Sequence, residues 1–219
     1  LADGWGGSMI ATDLQDILFG TPRPLAGEVD FGVLREDTVN IIVHGHEPLL
    51  SEMIVVAAES PEMRSLAREK GASGITIGGI CCTANEILMR HGVPIVGNFL
   101  NQELAIMTGA VEVMVVDVQC VMQSLPAVAS CFHTKVVTTS DKARIAGAEH
   151  VQFTEGNALE QARAIVRMAI ENFSNRRRDA VKIPGRKMNL VAGFSHETIL
   201  YILGGMFRAS YRPLSDNII

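Results

Sequence analysis

The sequence predicts an α/β fold with a largely buried parallel sheet. Three observations predict it. Apolar, β-branched runs alternate with helix-length amphipathic segments from about residue 39 onward, the pattern of βαβ crossovers. Runs such as Val113-Met114-Val115-Val116 are apolar without interruption, as strands covered on both faces are. Residues that carry chemistry follow the ends of these runs: His44 and His46 after one, Cys81 and Cys82 after the next, Cys120 after a third. In an open α/β sheet the carboxyl ends of the strands line one crevice, where ligands bind. The architecture implied is a three-layer αβα, Rossmann-like sheet with helices on both faces.

Taken in order, residues 1–38 read as a helical lead-in and linker, with a short helix over 12–18 closed by Gly20-Thr21-Pro22-Arg23-Pro24, a Pro/Gly-punctuated connection. Residues 39–219 read as one cluster-sized α/β domain. Its strand candidates are 39–43, 74–80, 111–118, 135–138, 150–153 and 188–191. Helices are expected over 49–59, 61–70, 84–91, 102–108, 126–132 and 158–173. Thr83 and Glu86 have the spacing of a capping box, which starts a helix directly after Cys82. Gly71 and Gly92 read as the glycines that stop two helices, and Ser195 as the N-cap of another.

Composition narrows the function classes. The chain has 219 residues, 47% of them hydrophobic, and a formal charge of −5. A general nucleic-acid footprint needs a basic face, and the one basic run, Arg176-Arg177-Arg178, reads as a solvated helix terminus favoured by the dipole. Four cysteines with one adjacent pair are no disulfide framework and suit a reducing, cytoplasmic setting. No apolar run reaches the roughly 18 residues that suggest a membrane span. The opening at Leu1 and the ending at Asp216-Asn217-Ile218-Ile219 read as a piece of a larger chain.

The candidate site has two readings at each residue. His44 and His46 flank Gly45 and can either bind a metal through a neutral imidazole or hydrogen-bond within the loop. Cys81 and Cys82 can supply one thiolate to the crevice and one side chain to the core, or both can be small buried residues. Cys120 can be a ligand or core packing; Cys131, inside an apolar helix candidate, reads as core. A helix start beside Cys82 favours thiolate there. His91 reads as a cation at a helix C-terminus. The glycines between 71 and 79 lack the dinucleotide-binding spacing. Paired-cysteine or HxxxH zinc spacings are also missing, and three soft ligands are fewer than an isolated iron–sulfur cubane takes. The residues alone support a partial metal site completed elsewhere.

Several blocks carry a resemblance: Phe19-Gly20-Thr21-Pro22, Val43-His44-Gly45-His46-Glu47-Pro48, Gly79-Ile80-Cys81-Cys82-Thr83-Ala84-Asn85-Glu86, Asn101-Gln102-Glu103-Leu104-Ala105, Val116-Asp117-Val118-Gln119-Cys120, Gly147-Ala148-Glu149-His150 and Val191-Ala192-Gly193-Phe194-Ser195. On these blocks the chain resembles the middle domain of the catalytic subunit of nickel-dependent anaerobic carbon monoxide dehydrogenases, along essentially its whole length. The resemblance implies an oxidoreductase that interconverts CO plus water with CO2, two protons and two electrons at a Ni-Fe-S cluster. It implies that His46 and Cys82 bind an outlying iron of that cluster and Cys120 an iron of its cubane part, with His44 and Cys81 as neighbours. It places Asp3 near an acid that handles protons, and suggests Asn85 or Asp117 as groups that orient the ligands. A ferredoxin-like electron acceptor, a homodimer and an acetyl-CoA synthase subunit are the partners it implies. The cysteines that the family uses for accessory 4Fe-4S clusters, those that complete the nickel cluster, and a catalytic lysine are not in these 219 residues. Two other readings stand beside it. A hybrid-cluster-type reductase would have a histidine and carboxylates where this chain has Cys81-Cys82. A non-catalytic assembly module would bury its cysteines.

Overall fold

The computed structural model describes residues 1–203; the ending at residues 216–219 lies outside them. Helix α1 (Ala2–Phe19) leads into strand β1 (Leu25–Val29). Strand β2 (Val39–Gly45) is followed by α2 (Pro48–Glu59) and α3 (Pro61–Glu69). Then come β3 (Ile75–Ile80), α4 (Cys81–His91), the short β4 (Ile95–Gly97), α5 (Gln102–Met107) and β5 (Val111–Val116). The chain continues through α6 (Leu125–Ala129), β6 (Lys135–Thr138), β7 (Glu149–His150), α7 (Ala158–Asn172), β8 (Met188–Ala192) and α8 (His196–Leu203).

The strands form one eight-stranded sheet in the order β7-β6-β5-β2-β3-β4-β1-β8. Neighbours run parallel except for β8, which pairs antiparallel with β1 at the edge. The sheet also takes in two strands that the sequence pattern did not mark, β1 and β4. β1 falls in the stretch read as linker, because Leu-Ala-Gly-Glu-Val has no sustained apolar run; β4 is three residues long and follows Pro94. Helix α1 is longer than the segment expected over 12–18 and buries none of its residues. It is tied to the rest through Asp16, 3.1 Å from the Arg90 guanidinium.

Alternation along the central strands divides the core between the two faces. Ile41, Val43, Val113 and Val115 pack with Leu50, Ile54, Ile165 and Ile170 of α2 and α7. Ile42, Met114 and Val116 pack with Ala105, Ile106, Leu125 and Ala129 of α5 and α6 on the other face. Every residue of β2 and β5 is buried, which accounts for the apolar runs Ile41-Ile42-Val43 and Val113-Met114-Val115-Val116.

The direction of travel reverses at the centre of the sheet. From β2 the chain moves through α2 and α3 to β3 on one side; from β5 it moves through α6 to β6 on the other. β2 and β5 are adjacent, so the connections leaving their carboxyl ends diverge and open a crevice between them. This is the switch point at which open α/β sheets bind ligands.

The opposite end of the same strands is closed by a buried ionic cluster. Glu112 of β5 is fully buried. Arg176 donates to it through Nε and Nη2, both at 2.7 Å, and to the carbonyls of Glu36, Thr38 and Ala110 at 2.8–3.0 Å. Glu112 also accepts the backbone N–H of Asn40 at 2.6 Å and faces His133 Nε2 at 2.9 Å. The Arg176 guanidinium stacks over Phe173, 4.6 Å from the ring centre. The basic run is therefore not a solvated terminus at its first residue: α7 stops at Asn172 and the chain turns Arg176 inward to meet a carboxylate 64 residues away. Removing one member of a buried pair strands the other charge, at about 3–5 kcal/mol. Arg176→Met is expected to lower the stability of the chain by that amount in denaturant unfolding; a loss below about 1 kcal/mol, the scale of an exposed pair, would contradict the role given to the cluster.

Candidate metal centre

Strand pairing sets the three exits level. His44 is in register with Ile80 of β3 and with Val116 of β5, and one step further Gly45 bridges to Cys81. The next residues along each strand, His46, Cys82 and the loop to Cys120, therefore leave the sheet at one edge. The pattern of residues after each apolar run anticipated this.

Asp117 ties two of these exits together. Its Oδ1 accepts the backbone N–H of His46 at 2.7 Å, and also that of Val118; Oδ2 accepts the N–H of Glu47 at 2.9 Å. Burial pushes its carboxyl up to about 6, while the three backbone donors pull the other way. Gly45 makes this approach possible: with φ at 138°, a Cβ there would lie 1.6 Å from Asp117 Oδ1. No side chain fits.

The two histidines are treated differently. His46 is half-buried, and its Nδ1 lies 3.1 Å from the carbonyl of Val118. A carbonyl only accepts, so Nδ1 carries a proton, and in the neutral ring Nε2 is the nitrogen with the lone pair. Metal-binding imidazoles are oriented in this way, with the distal N–H held by a backbone or carboxylate oxygen. His44 is fully buried. Burial lowers its pKa and keeps it neutral, and its Nε2 sits 3.0 Å from both Gln102 Oε1 and the carbonyl of Cys120. It is turned into the fold, where these two oxygens occupy its Nε2.

Helix α4 begins at Cys81, not after Cys82, and its N-cap is Ile80. The capping box does not form. The Thr83 hydroxyl is buried without a partner, and Glu86 pairs with Arg90 one turn along the helix instead. The chain turns from strand to helix at Cys81 with φ at 65°, and Gly79 lies so close to the helix that a Cβ there would meet Ala84 Cα at 2.5 Å. Cys82, in the first turn of α4, is exposed at the helix start. Cys81 is partly buried; burial first, then the neighbouring Cys120 and Cys82, push its thiol up to about 12. It remains a thiol at neutral pH.

Cys120 is exposed and not core. It follows Gln119 in a loop where both residues have positive φ, 59° and 47°. Non-glycine residues in this region are strained, and such strain gathers at functional sites. Cys81, Cys82 and Cys120 line one cavity of about 630 Å³ with Asn85, Asn98, Asn101 and Phe99 among its other walls. His46 is not part of that lining and stands on the adjoining β2 exit. Asp3 is not part of it either: it lies in the first turn of the exposed helix α1. Cys131, read as core, is exposed beyond the end of α6. All four cysteines are free. Among the described residues no three His, Cys, Asp or Glu side chains converge to hold a single metal ion.

The donor set suits a polynuclear cluster better than one ion. Two exposed thiols line the cavity and an imidazole stands on the adjoining strand exit, so the donors are spread out rather than gathered at a point. Three ligands leave such a cluster incompletely held by these residues. The residue that the sequence reading left without a role is Gln102. It is fully buried beneath the Cys120 loop, and a glutamine inside an apolar helix pattern was the available signal.

The chain is similar to known proteins along essentially its whole length. The model of the Prismane/CO dehydrogenase family matches residues 1–214. Carbon monoxide dehydrogenase 1 of Methanosarcina mazei is 58% identical over 218 residues, which cover all of this chain and 34% of that protein. The as-isolated, nickel-free carbon monoxide dehydrogenase of Thermococcus sp. AM4 superposes with a TM-score of 0.91 at 56% identity, over 100% of this chain and 34% of that one. An acetyl-CoA synthase/carbon monoxide dehydrogenase with NiZn[Fe4S4] and NiNi[Fe4S4] clusters in its α subunits superposes at 0.86 and 52% identity, over 90% of this chain and 29% of that one. The chain thus spans about a third of the length of these relatives. With a family model that takes in the whole sheet and every residue of the candidate centre, this chain belongs to the Prismane/CO dehydrogenase family.

Proposed function

We propose that this chain supplies part of the ligand set of a Ni-Fe-S cluster in a protein that interconverts CO and water with CO2, two protons and two electrons. The observation that carries the reading is the level exit of β2, β3 and β5, which brings His46, Cys82 and Cys120 to one edge of the sheet. The relatives that bear the carbon monoxide dehydrogenase name support this chemistry over that of a hybrid-cluster-type reductase, and the exposure of Cys82 and Cys120 speaks against an assembly module with buried cysteines.

When bound, the cluster supplies the nickel and iron positions at which CO and water react and takes up the two electrons. The protein's own contribution is to hold and orient. His46 offers Nε2 to the outlying iron while the Val118 carbonyl holds its Nδ1–H. Cys82 offers a thiolate from the first turn of α4 to the same iron, and Cys120 offers one to the cubane part. Asp117 fixes the His46 backbone relative to the Cys120 loop. Cys81, kept as a thiol by burial, fills the wall between Cys82 and Cys120 as a neighbour. The remaining ligands and the accessory 4Fe-4S clusters belong to the rest of the longer chain. Asp3 is assigned to proton handling on resemblance. The same reading carries a ferredoxin-like acceptor, a homodimer and a cytoplasmic setting; a neighbour that joins acetyl-CoA synthase to carbon monoxide dehydrogenase supports an acetyl-CoA synthase partner. No helix among the described residues is long and apolar enough to cross a membrane.

CO-dependent viologen reduction by the full-length parent, purified without oxygen and loaded with nickel, tests the reading beside His46→Ala. Loss of about 100-fold or more, beyond the usual effect of changing a group behind a ligand, together with a changed cluster EPR spectrum, is the expected outcome. Full activity in the variant would remove His46 from the site. Asp117→Ala, which touches no ligand atom, is expected to lower activity and nickel content about 10- to 100-fold. If both stay at the parent's level, the carboxylate does not position the His46 loop.

A further inference from the structure

The carbonyl of Cys120 is held from below by two fully buried polar side chains. His44 Nε2 reaches it at 3.0 Å and Gln102 Nε2 at 3.1 Å. Both atoms near His44 Nε2 are acceptors, the Cys120 carbonyl and Gln102 Oε1, so the neutral ring carries its proton on Nε2 and donates. Gln102 is fully engaged: its amide N–H groups go to Cys120 O and to Phe99 O at 2.7 Å, and its oxygen accepts from His44 and from Met122 N at 3.0 Å. Such a network admits one arrangement of the loop. The residues it holds, Gln119 and Cys120, are those with φ at 59° and 47°, a conformation that relaxes unless its surroundings over-determine it. The geometry also explains why a polar ring is buried at this position of β2, next to Ile42 and Val43. No hydrogen bond forms at its Nδ1, although the Ile80 backbone also acts on the ring; the contacts to the loop are made by Nε2.

We propose that His44 and Gln102 are positioning residues: together they clamp the Cys120 carbonyl and thereby hold the strained 118–122 loop so that the Cys120 thiol faces the cavity. The assignment rests on the reading of Cys120 as a cluster ligand, but the clamp itself can be tested without metal. Neither side chain touches the cavity; each acts through the backbone of Cys120.

The test uses the full-length parent. Hydrogen exchange is followed in the metal-free protein for the peptide 118–122, with β5 as the internal control, and cluster EPR and iron content are followed in the loaded protein. Gln102→Met keeps the volume and removes the amide; His44→Phe keeps a ring and removes the N–H; His44→Gln can restore a donor near the Nε2 position. Gln102→Met and His44→Phe are expected to speed exchange of the loop about tenfold, the equivalent of one lost hydrogen bond, with β5 unchanged and the EPR spectrum shifted. His44→Gln is expected to recover most of both. Unchanged loop exchange and EPR in the first two variants would overturn the clamp. So would faster exchange that spreads to β5, which marks general destabilisation, or a His44→Gln variant no better than His44→Phe. Cys120→Ala separates this from the underlying reading: full iron content and an unaltered spectrum in that variant would remove Cys120 as a ligand whatever the loop does.

Discussion

The pairing of β2 with β3 on one side and β5 on the other is the constraint on which the rest depends. Parallel ladders fix which residues stand level, and here His44 stands level with Ile80 and Val116. A slip of one residue in either ladder would carry each side chain to the opposite face of the sheet, and the two faces of β2 and β5 pack against different helices. The register is therefore set by the whole core, and the positions of His46, Cys82 and Cys120 follow from it. A site made of loops is held by the most strongly determined part of the sheet.

What the sheet brings close, polar groups then hold. Asp117 spans the exits of β2 and β5 through backbone donors on both. Left-handed backbone at Cys81, Gln119 and Cys120 costs on the order of 1–3 kcal/mol at each residue. Buried hydrogen bonds around the loop, fully satisfied at Gln102, offset part of that cost. The amino ends of the same strands carry the opposite arrangement, an ionic cluster in which Arg176 and Glu112 are buried against each other. One end of the sheet is locked; the other is strained and open.

Much of this was legible in the sequence. The central strands were, because burial on both faces leaves an unbroken apolar run such as Val113-Met114-Val115-Val116. The candidate residues were, because each follows such a run. β1 and β4 were not: their place in the sheet comes from partners distant in sequence, Ala192 and Val191 for β1 and Gly79 for β4, and local pattern does not report such pairing. Thr83 and Glu86 satisfied the spacing of a capping box, but the helix starts at Cys81, three residues before the expected 84, and leaves the Thr83 hydroxyl buried. Arg176 looked like a surface charge because its carboxylate is 64 residues away. The separation of roles between His44 and His46 was invisible in the spacing and follows from the turn at Gly45.

The central claim is that one cluster sits across three strand ends. Anomalous diffraction at the iron and nickel edges, from crystals of the metal-loaded full-length parent, tests it most directly. The account predicts iron within bonding distance of His46 Nε2, Cys82 Sγ and Cys120 Sγ, with nickel in the same cluster and no metal bonded to His44. Iron and nickel bound elsewhere, with these three side chains free of metal, would contradict it.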